Sequence, residues 1–568
     1  MNLLETRPWL KHYPASMPYE INPDQYASVL ALIDEGFEKY ANTPAYANMG
    51  KQLSYAEIND YSRNFAAYLQ SLGLIKGDRI AIQMPNLLQY PVAIFGALRA
   101  GLVVVNTNPL YTPREMEHQF KDSGAKAIVI LANFAFNLEK VIEKTDIKHV
   151  IVTEIGDMLG FPKKQITNLV VKYVKKMIPA YFIPNAIPFS SALSKGANMT
   201  YQTPTMQGSD LAFIQYTGGT TGVSKGAMLT HRNIVANVVA NCEYLGPMLN
   251  DNPNNVIVAA LPLYHIYALT CNALSCLKNG GMNLLITNPR DMDGFIDELK
   301  KYKITVFTGV NTLYNGLLNH PRIGEVDFSS LKIASAGGMA LQSTVAISWQ
   351  KLTNVLATEG YGLSETSPVL STNPLDATKN RIGTIGIPFP STDMRIMRDD
   401  STWADIGEAG EICANGPQVM LGYFKRIDET ENVMFTDPAD GRQWFKTGDV
   451  GVMDSDGYFK IVDRKKDMVL VSGFNVYPSE IEEVVASCSG VLEVACIGVP
   501  DAKTTEAVKI FVVKKDPALT IEQIQAHCRE NLTAYKCPKH IEFRDELPKT
   551  NVGKILRRAL RDEELAKK

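Results

Sequence analysis

A loop rich in glycine and threonine, YTGGTTGVSKG at Tyr216–Gly226, follows the apolar run DLAFIQ and carries one lysine. Glycines let backbone N–H groups approach a ligand, hydroxyls donate hydrogen bonds, and a lysine balances negative charge. The loop therefore predicts a polyphosphate site. Lys225 lies between Ser224 and Gly226, so the loop lacks the Walker pattern of a kinase-like P-loop. A purely structural turn is the alternative.

Further segments place charged or aromatic residues in polar, glycine-containing contexts. EGYGLSET contains Tyr361 and Glu365, KTGDVG contains Asp449, IVDRKK contains Arg464, and PKTNVGKILRR contains Lys554. A carboxylate can bind a divalent cation or accept from two ribose hydroxyls, and fixed positive charge stabilises a carboxylate that attacks a phosphate. These residue types suit nucleotide chemistry. Each one alone is also compatible with a solvated loop carboxylate, a surface ion pair or an exposed lysine.

The elements that must position these residues alternate between strands and helices. RIAIQM, AKAIVIL and NLLIT predict buried strands, and YAEINDYSRNFAAYLQSLG has the period of a helix. This alternation predicts an α/β fold with largely parallel sheets. After a DSDG turn, Tyr458–Asp463 predicts the second strand of a hairpin.

The last hundred or so residues differ from the rest of the chain. PSEIEEVVASC predicts a helix with Pro478 in its first turn and a Ser479/Glu482 capping box, followed by strand, strand, helix, strand and helix. We expect residues 1–463 to form a large N-terminal domain of packed α/β sheets, residues 464–466 a hinge, and residues 467–568 a small, mobile C-terminal α/β lid domain.

Composition limits the class of protein. The 568 residues carry a net charge of -3, which excludes a general nucleic-acid binder because no broad excess of Lys and Arg is present. The eight cysteines occur singly, without a CxxC pair, and predict reduced core thiols in a cytoplasmic protein. Glu5 and Arg7 stand where a secretory signal would need an apolar core, so we expect no such signal, and no run reaches the roughly 18 uncharged apolar residues of a membrane span.

The stretch Met158–Ser209 contains six lysines and no aspartate, glutamate or arginine. Within it, ITNLVVKYVKKMI predicts a helix with one apolar face, formed by Ile166, Leu169, Val170, Tyr173, Val174 and Met177. The lysines, Lys163, Lys164, Lys172, Lys175 and Lys176, fall largely on the other face. A basic amphipathic helix can bind an anionic membrane surface. A surface helix packed on its own domain is the alternative.

The motifs above, in this order, resemble those of the adenylate-forming enzymes, which include acyl-CoA synthetases, luciferases and peptide-synthetase adenylation domains. The resemblance spans most of the chain and is strongest to bacterial long-chain fatty-acid–CoA ligases. The segments that carry this closer resemblance are VVVNTNPLYTPREMEHQ, LPLYHIYALT, GVNTLYNGLLNHP, GPQVMLGY and ELPKTNVGKILRR. Enzymes of this family join a carboxylate to the α-phosphate of ATP, release pyrophosphate, and then transfer the acyl group to the thiol of CoA.

The resemblance implies how ATP is held. The loop residues that would hold the β- and γ-phosphates are Thr217, Gly218, Gly219, Thr220, Thr221, Gly222 and Lys225. Glu365 and Thr217 match the positions that bind Mg²⁺. Tyr361 matches the aromatic residue that stacks on adenine, over a floor formed by Gly337 and Gly338, with Gly362 and Ser364 also in the nucleotide site.

Further roles are implied for residues near the predicted hinge and in the lid. Asp449 and Arg464 would hold the ribose, and Lys554 would bridge the substrate carboxylate and the α-phosphate. Lys466 occupies the hinge position, and Gly473 lines the path of the pantetheine arm of CoA. His265, in PLYHIYAL, would lie beside the acyl carboxylate, although a histidine among apolar residues is otherwise most often a core residue.

The resemblance therefore implies an ATP- and Mg²⁺-dependent long-chain fatty-acid–CoA ligase, with fatty acid, ATP and CoA as substrates and with Gly309 and Val310 in the wall of the acyl channel. A fatty-acyl-AMP ligase, or another adenylate-forming enzyme acting on a different carboxylate, is the nearest alternative. A catalytically silent nucleotide-binding protein with the same fold is a second. Peripheral contact with the inner face of a membrane and a homodimer are left open by the sequence.

Overall fold

The structure, a computed structural model, describes residues 7–217, 224–249, 252–472, 474–501, 503–550 and 552–567. Within these residues the strands form four sheets, called sheets A to D below. Sheets A, B and C are built from residues up to Arg464, the first residue of the predicted hinge, and sheet D from residues after the hinge. The mixed α/β architecture with a smaller C-terminal unit agrees with the fold class predicted from the sequence.

Sheet A contains the strand that leads into the glycine-rich loop. Its strands, in spatial order, are Ile187–Pro188, His149–Thr153, Ala127–Leu131, Arg79–Gln83, Val103–Asn106, Leu211–Thr217 and Lys225–Thr230. All neighbouring pairs are parallel except the last, which is antiparallel. That last pair sets Thr217 opposite Lys225, so the two ends of the glycine-rich loop are held side by side.

Sheet B has a parallel centre and antiparallel edges. Its strands, in spatial order, are Ile387–Pro388, Val369–Thr372, Ala357–Gly362, Ile333–Ala336, Val306–Gly309, Val256–Ala259, Met282–Leu285, Pro44–Asn48 and Lys51–Ser54. The pairs from Ala357–Gly362 to Pro44–Asn48 are parallel. Parallel strands end at a common edge, so Gly337 and Tyr361, which lie at the carboxyl ends of adjacent strands, come together there.

Sheet C is antiparallel, which the expectation of largely parallel sheets did not include. Its strands are Asp393–Met397, Gly410–Asn415, Gln443–Met453, Met434–Thr436 and Phe459–Arg464. The predicted hairpin after the DSDG turn is confirmed: Gln443–Met453 pairs with Phe459–Arg464. This register places Asp449 opposite Arg464.

Sheet D forms the core of the C-terminal unit. Its strands are Phe474–Val476, Val469–Val471, Thr505–Lys514, Val491–Asp501 and His540–Arg544. The predicted order after the first C-terminal helix, strand, strand, helix, strand and helix, is confirmed. The predicted capping box is wrong. The helix begins at Pro478 after an N-cap at Tyr477, because the Ser479 amide donates to Asp463 and the Glu482 carboxylate binds Arg557.

Helices cover the sheets and connect their strands. The α-helices are Val29–Lys39, Tyr55–Ser71, Gln89–Arg99, Pro113–Ser123, Ala135–Glu139, Lys163–Leu169, Phe189–Gly196, His231–Leu249, Ile266–Ala268, Ser275–Asn279, Met292–Leu299, Asn311–Leu318, Ser343–Thr353, Ile427–Val433, Pro478–Ala486, Ile521–Asn531 and Arg557–Ala566. Val170–Val174 and Leu269–Leu274 are π-helical. Short 3₁₀-helices are Pro8–His12, Ala132–Phe134, Ile142–Lys144, Ile323–Glu325, Ser364–Thr366 and Ala534–Lys536.

The largest hydrophobic core lies between sheets A and B. In the strand Ala127–Leu131 of sheet A, Ala127, Val129 and Leu131 belong to this core, whereas Ile128 and Ile130 pack with a second cluster. A strand buried on both faces explains why AKAIVIL is a continuous apolar run. Among the described helices, none is long and apolar enough to cross a membrane. The division into residues 1–463, 464–466 and 467–568 stays a prediction.

Candidate functional site

A cleft of about 1000 Å³ lies where sheets A, B and C meet the segment Lys549–Leu556 of the C-terminal unit. The predicted site residues that line it are Thr217, Lys225, His265, Gly337, Gly338, Tyr361, Gly362, Ser364, Glu365, Asp449, Arg464, Lys466 and Lys554. The other predicted residues, Gly218, Gly219, Thr220, Thr221, Gly222 and Gly473, lie outside the described residues. Residues separated by more than three hundred positions in the chain thus share one cavity.

Lys554 reaches the cleft from a tight loop. The Thr550 amide donates to the Lys554 carbonyl (2.7 Å), and the Lys554 amide donates to Thr550 Oγ1 (3.0 Å). Gly553 has a φ of +81°, and a Cβ there would lie 2.6 Å from Thr312 Oγ1, so this position requires glycine. Thr312 Oγ1 in turn donates to the Gly553 carbonyl (2.9 Å) and fixes the loop to the helix Asn311–Leu318.

The side chain of Lys554 is half-buried and lines the cleft next to Gly338. A Cβ on Gly338 would lie 3.4 Å from Lys554 Cε. Burial, together with the positive charge of Arg464, lowers the pKa of Lys554 to about 8. The carboxylates of Asp449 and Glu365 act in the opposite direction. Lys554 is therefore charged at neutral pH but loses its proton far more easily than an exposed lysine.

Asp449 is held by Tyr361 and Arg464. The Tyr361 hydroxyl donates to Asp449 Oδ2 (2.7 Å), and Arg464 Nε lies 3.1 Å from Asp449 Oδ1. Asp449 and Arg464 face each other because their strands are paired in the hairpin of sheet C. The phenol ring, the carboxylate and the guanidinium form one polar wall. Such a wall offers an aromatic face and paired acceptor oxygens to a nucleoside.

Glu365 lies in the short helix Ser364–Thr366 and is buried. Burial raises the pKa of Glu365, and the Tyr423 hydroxyl, which donates to Glu365 Oε1 (2.8 Å), lowers it. The Lys225 ammonium lies 5.1 Å from the centre of the Tyr423 ring and forms an ion pair with Glu429. Tyr423 therefore connects Lys225, at the end of the glycine-rich loop, to the buried carboxylate of Glu365.

The fit of Glu365 to a magnesium ion can be judged from its surroundings. Among the described residues, no group of three or more His, Cys, Asp or Glu side chains is arranged to bind a metal ion. Mg²⁺ is often bound by one or two carboxylates together with the phosphates of a nucleotide. One buried carboxylate that shares a cleft with Thr217 and Lys225 fits that mode of binding.

His265 is the N-cap of the short helix Ile266–Ala268, where Nδ1 accepts from the Tyr267 amide (3.3 Å). Burial, and secondarily the charge of Lys554, lowers the pKa of His265 to about 4. The imidazole is neutral at neutral pH. His265 therefore combines the two readings of the sequence: it has a satisfied structural hydrogen bond, and it also lines the cleft.

Two glycines of the cleft lie so close to neighbouring groups that little room is left for a side chain. A Cβ on Gly362 would lie 1.9 Å from the Pro368 carbonyl oxygen, so the chain has no room for a side chain there. A Cβ on Gly337 would lie 3.2 Å from the Tyr267 ring.

Lys466 follows the hairpin of sheet C, and burial, together with Arg464, lowers the pKa of Lys466 to about 8.

Part of the cleft lining is apolar. Its apolar lining residues include Tyr244, Leu245, Cys271, Val306, Ile333, Val369 and Phe389, which pack in one hydrophobic cluster with Tyr361. Gly309 and Val310, which the resemblance placed in the channel wall, do not line this cavity. Val310 packs near Gly338 and Gly553 instead, because the loop that carries Lys554 docks there.

Sequence reasoning assigned no role to Tyr423 or Arg557. Tyr423 ends the quoted segment GPQVMLGY, but nothing in a sequence shows that its hydroxyl reaches Glu365. Arg557 lies in the quoted segment PKTNVGKILRR, where nothing in the sequence indicates burial. In the structure it is largely buried and contacts several carboxylates.

The comparisons with known proteins agree with this geometry. The family model described as "AMP-binding enzyme" matches residues 33–424, and the model "AMP-binding enzyme C-terminal domain" matches residues 480–554. A long-chain-fatty-acid–CoA ligase of Salmonella typhimurium is 56% identical over 556 residues, which cover 98% of each chain. The ligase of the same name from Haemophilus influenzae is 52% identical over 99% of each chain.

A solved structure with a similar fold is a benzoate CoA ligase from Burkholderia xenovorans LB400. Its TM-score is 0.80 at 25% identity, and the match covers 94% of this chain and 99% of that one.

The pKa of Lys554 can be tested directly. We expect competitive labelling of lysines by acetic anhydride, followed by mass spectrometry, to give Lys554 a pKa of about 8. In the variant Arg464→Gln the pKa of Lys554 should rise, because a neighbouring positive charge is removed. The labelling rate of the exposed Lys515 in the same digest is the reference. An ordinary lysine pKa near 10.5 for Lys554 would contradict the burial of its ammonium group.

Proposed function

The chain belongs to the AMP-binding enzyme family, and on that premise we propose that it is an ATP-dependent long-chain fatty-acid–CoA ligase. The observation that carries the proposal is one cleft whose lining combines Asp449, Glu365 and Lys554 with a cluster of apolar side chains that includes Tyr361. The relatives that are 52–56% identical over almost their whole length carry the same activity in their names.

In the first half-reaction, a carboxylate oxygen of the fatty acid attacks the α-phosphorus of ATP. The new acyl–phosphate bond forms as the bond to pyrophosphate breaks. We propose that Tyr361 stacks on the adenine over Gly337 and Gly338, and that Asp449 and Arg464 hold the ribose. The ammonium of Lys554 stabilises the negative charge shared between the carboxylate and the phosphate.

The departing pyrophosphate also needs positive charge. Lys225 and the threonines of the glycine-rich loop are proposed to bind it, with Glu365 and Thr217 holding Mg²⁺. When bound, this ion withdraws charge from the phosphates. His265, neutral at neutral pH, lies in the same cleft and suits a hydrogen bond to the fatty-acid carboxylate rather than an ion pair.

In the second half-reaction, the thiol sulfur of CoA attacks the acyl carbon of the adenylate. The thioester bond forms, AMP leaves, and the thiol proton is released. We propose that residues 464–466 act as a hinge that moves the C-terminal unit between the two steps, with Gly473 beside the pantetheine arm. No side-chain nucleophile is required, because the adenylate is the activated group.

The acyl specificity rests on the apolar part of the cleft lining. Each CH₂ group taken out of water stabilises binding by about 0.8 kcal/mol, so an apolar cavity favours long chains over short ones. A fatty-acyl-AMP ligase would share the first half-reaction and differ in the second. Release of AMP that depends on CoA distinguishes the two.

We expect CoA-dependent AMP release, measured across a panel of acids from acetate to oleate with cinnamic acid included, to be highest for the long chains. One variant locates the chain. Ile333→Trp fills the apolar part of the cleft and should lower kcat/KM for oleate at least tenfold more than for octanoate, since overpacking there excludes the longer chain. A preference for acetate or cinnamate would contradict the fatty-acid assignment while leaving adenylation intact.

A second proposal, peripheral contact with the cytoplasmic face of a membrane, is supported by the surface at residues 161–182. Seven of its large apolar side chains are exposed: Phe161 87%, Ile166 58%, Leu169 55%, Tyr173 63%, Val174 74%, Met177 50% and Phe182 75%, whereas Val171 is buried. The alternative of a helix packed on its own domain would bury them. Lys172, Lys175 and Lys176 are exposed on the same segment and complement anionic lipid. A homodimer stays a prediction.

Reversal of charge at Lys172, Lys175 and Lys176 should weaken binding to vesicles that contain phosphatidylglycerol, by roughly 1 kcal/mol per lysine. Vesicle co-sedimentation measures the effect. The matched control reverses Lys503 and Lys515, which are exposed in the C-terminal unit, and should leave binding unchanged. Equal partitioning of the two variants would contradict the membrane proposal without bearing on the ligase activity.

A further inference from the structure

Arg557 lies three positions after Lys554, at the start of the helix Arg557–Ala566. Its Nε and Nη2 donate to the two oxygens of Glu482 (3.0 and 2.6 Å), and Nη2 also donates to Ser479 Oγ (3.1 Å). Its Nη1 lies 2.9 Å from Asp463 and 3.5 Å from Asp467. Only 16% of the Arg557 side chain is exposed.

These contacts fall on the two sides of the proposed hinge. Glu482, Ser479 and Asp467 belong to residues 467–568, so they would move together with Arg557. Asp463 is the next-to-last residue of the strand Phe459–Arg464 of sheet C, and its side chain is 2% exposed. It also accepts from the Ser479 amide (2.8 Å) and from the Arg464 amide (2.7 Å).

Three other contacts between the two sides of the hinge each involve at most one charged group. Thr312 donates to the Gly553 carbonyl, and the Asn315 side chain donates to the Leu492 carbonyl (2.9 Å). The Ser343 amide donates to Glu483 (3.2 Å). The pair of Arg557 with Asp463 brings full opposite charges together where both are largely buried, and such charge-assisted hydrogen bonds are roughly twice as strong as neutral ones.

We propose that the contact between Arg557 and Asp463 is a latch that holds the C-terminal unit in the orientation with Lys554 in the cleft. Arg557 is thus a positioning residue for the first half-reaction, and this inference rests on the proposed function. Rotation about residues 464–466 would break the contact with Asp463 and leave the bidentate contact with Glu482 intact. The latch therefore affects the first half-reaction, adenylation, and not the transfer of the acyl group to CoA.

The test compares carboxylates that both contact Arg557 but lie on opposite sides of the hinge. Asp463→Asn weakens the contact across the hinge, and Asp467→Asn weakens a contact within the C-terminal unit. Arg558→Ala removes the neighbouring exposed arginine and is the surface control. Two rates are measured on the full chain: oleate-dependent ATP–pyrophosphate exchange, and formation of oleoyl-CoA from synthetic oleoyl-adenylate.

We expect Asp463→Asn to lower pyrophosphate exchange by about 10- to 100-fold at saturating ATP, the effect of losing one hydrogen bond to a charged group. Formation of oleoyl-CoA should change by less than about twofold, because that step does not use the latch. Asp467→Asn should change both rates by the same factor, and Arg558→Ala neither. Asp463→Glu displaces the charge by one methylene. In this variant, pyrophosphate exchange should again fall more than oleoyl-CoA formation, but by a smaller factor than in Asp463→Asn.

Two results would overturn the latch. Equal loss of both rates in Asp463→Asn and Asp463→Glu would show a general structural role. A raised KM for ATP, with the exchange rate at saturating ATP unchanged, would show that Asp463 acts only through Arg464 on the nucleotide. Absence of oleate-dependent exchange in the wild-type protein would instead contradict the proposed function.

Discussion

The ammonium group of Lys554 must leave water to reach the cleft, and the rest of the site is organised around this requirement. Removal from water destabilises the charged form, which is why its pKa is lowered to about 8. The lysine is supplied by the C-terminal unit, whereas Asp449, Glu365 and Tyr361 belong to sheets B and C and the segments beside them. The site is therefore complete only when the C-terminal unit is docked. Contacts such as Thr312 with the Gly553 carbonyl stabilise the docked state.

Positive charge accumulates in the cleft beyond what its carboxylates balance. Burial, and secondarily the charge of Arg464, lowers the pKa of both Lys554 and Lys466, so the cations destabilise one another in the free protein. A polyphosphate would relieve that repulsion and raise both pKa values. The same cleft is also lined by apolar side chains that pack in one cluster with Tyr361, so one cavity combines charged and apolar surfaces. This combination suits a substrate with an anionic head and a long hydrocarbon chain.

The sequence predicted the α/β class, the sheet C hairpin and the order of the C-terminal elements, because apolar periodicity and turn residues are local signals. It also predicted thirteen of the residues that line the cleft, through segments that resemble a known family. The sequence predictions were wrong where contacts with residues distant in the chain override local signals. The Ser479/Glu482 capping box lost to Asp463 and Arg557, and Val310 packs near the loop of Lys554 rather than lining the cavity. Burial of Arg557 and the contact of Tyr423 with Glu365 depend on tertiary structure, which has no local signature.

The central claim is that docking of the C-terminal unit supplies a buried cation for adenylation alone. The variant Lys554→Ala tests it most directly, with pyrophosphate exchange and transfer from synthetic oleoyl-adenylate to CoA measured side by side. Loss of a preorganised charged group in a water-excluded site should lower exchange by about 10²–10³-fold or more. Transfer to CoA should be retained, because the adenylate is already formed. An equal loss of both half-reactions would contradict the account.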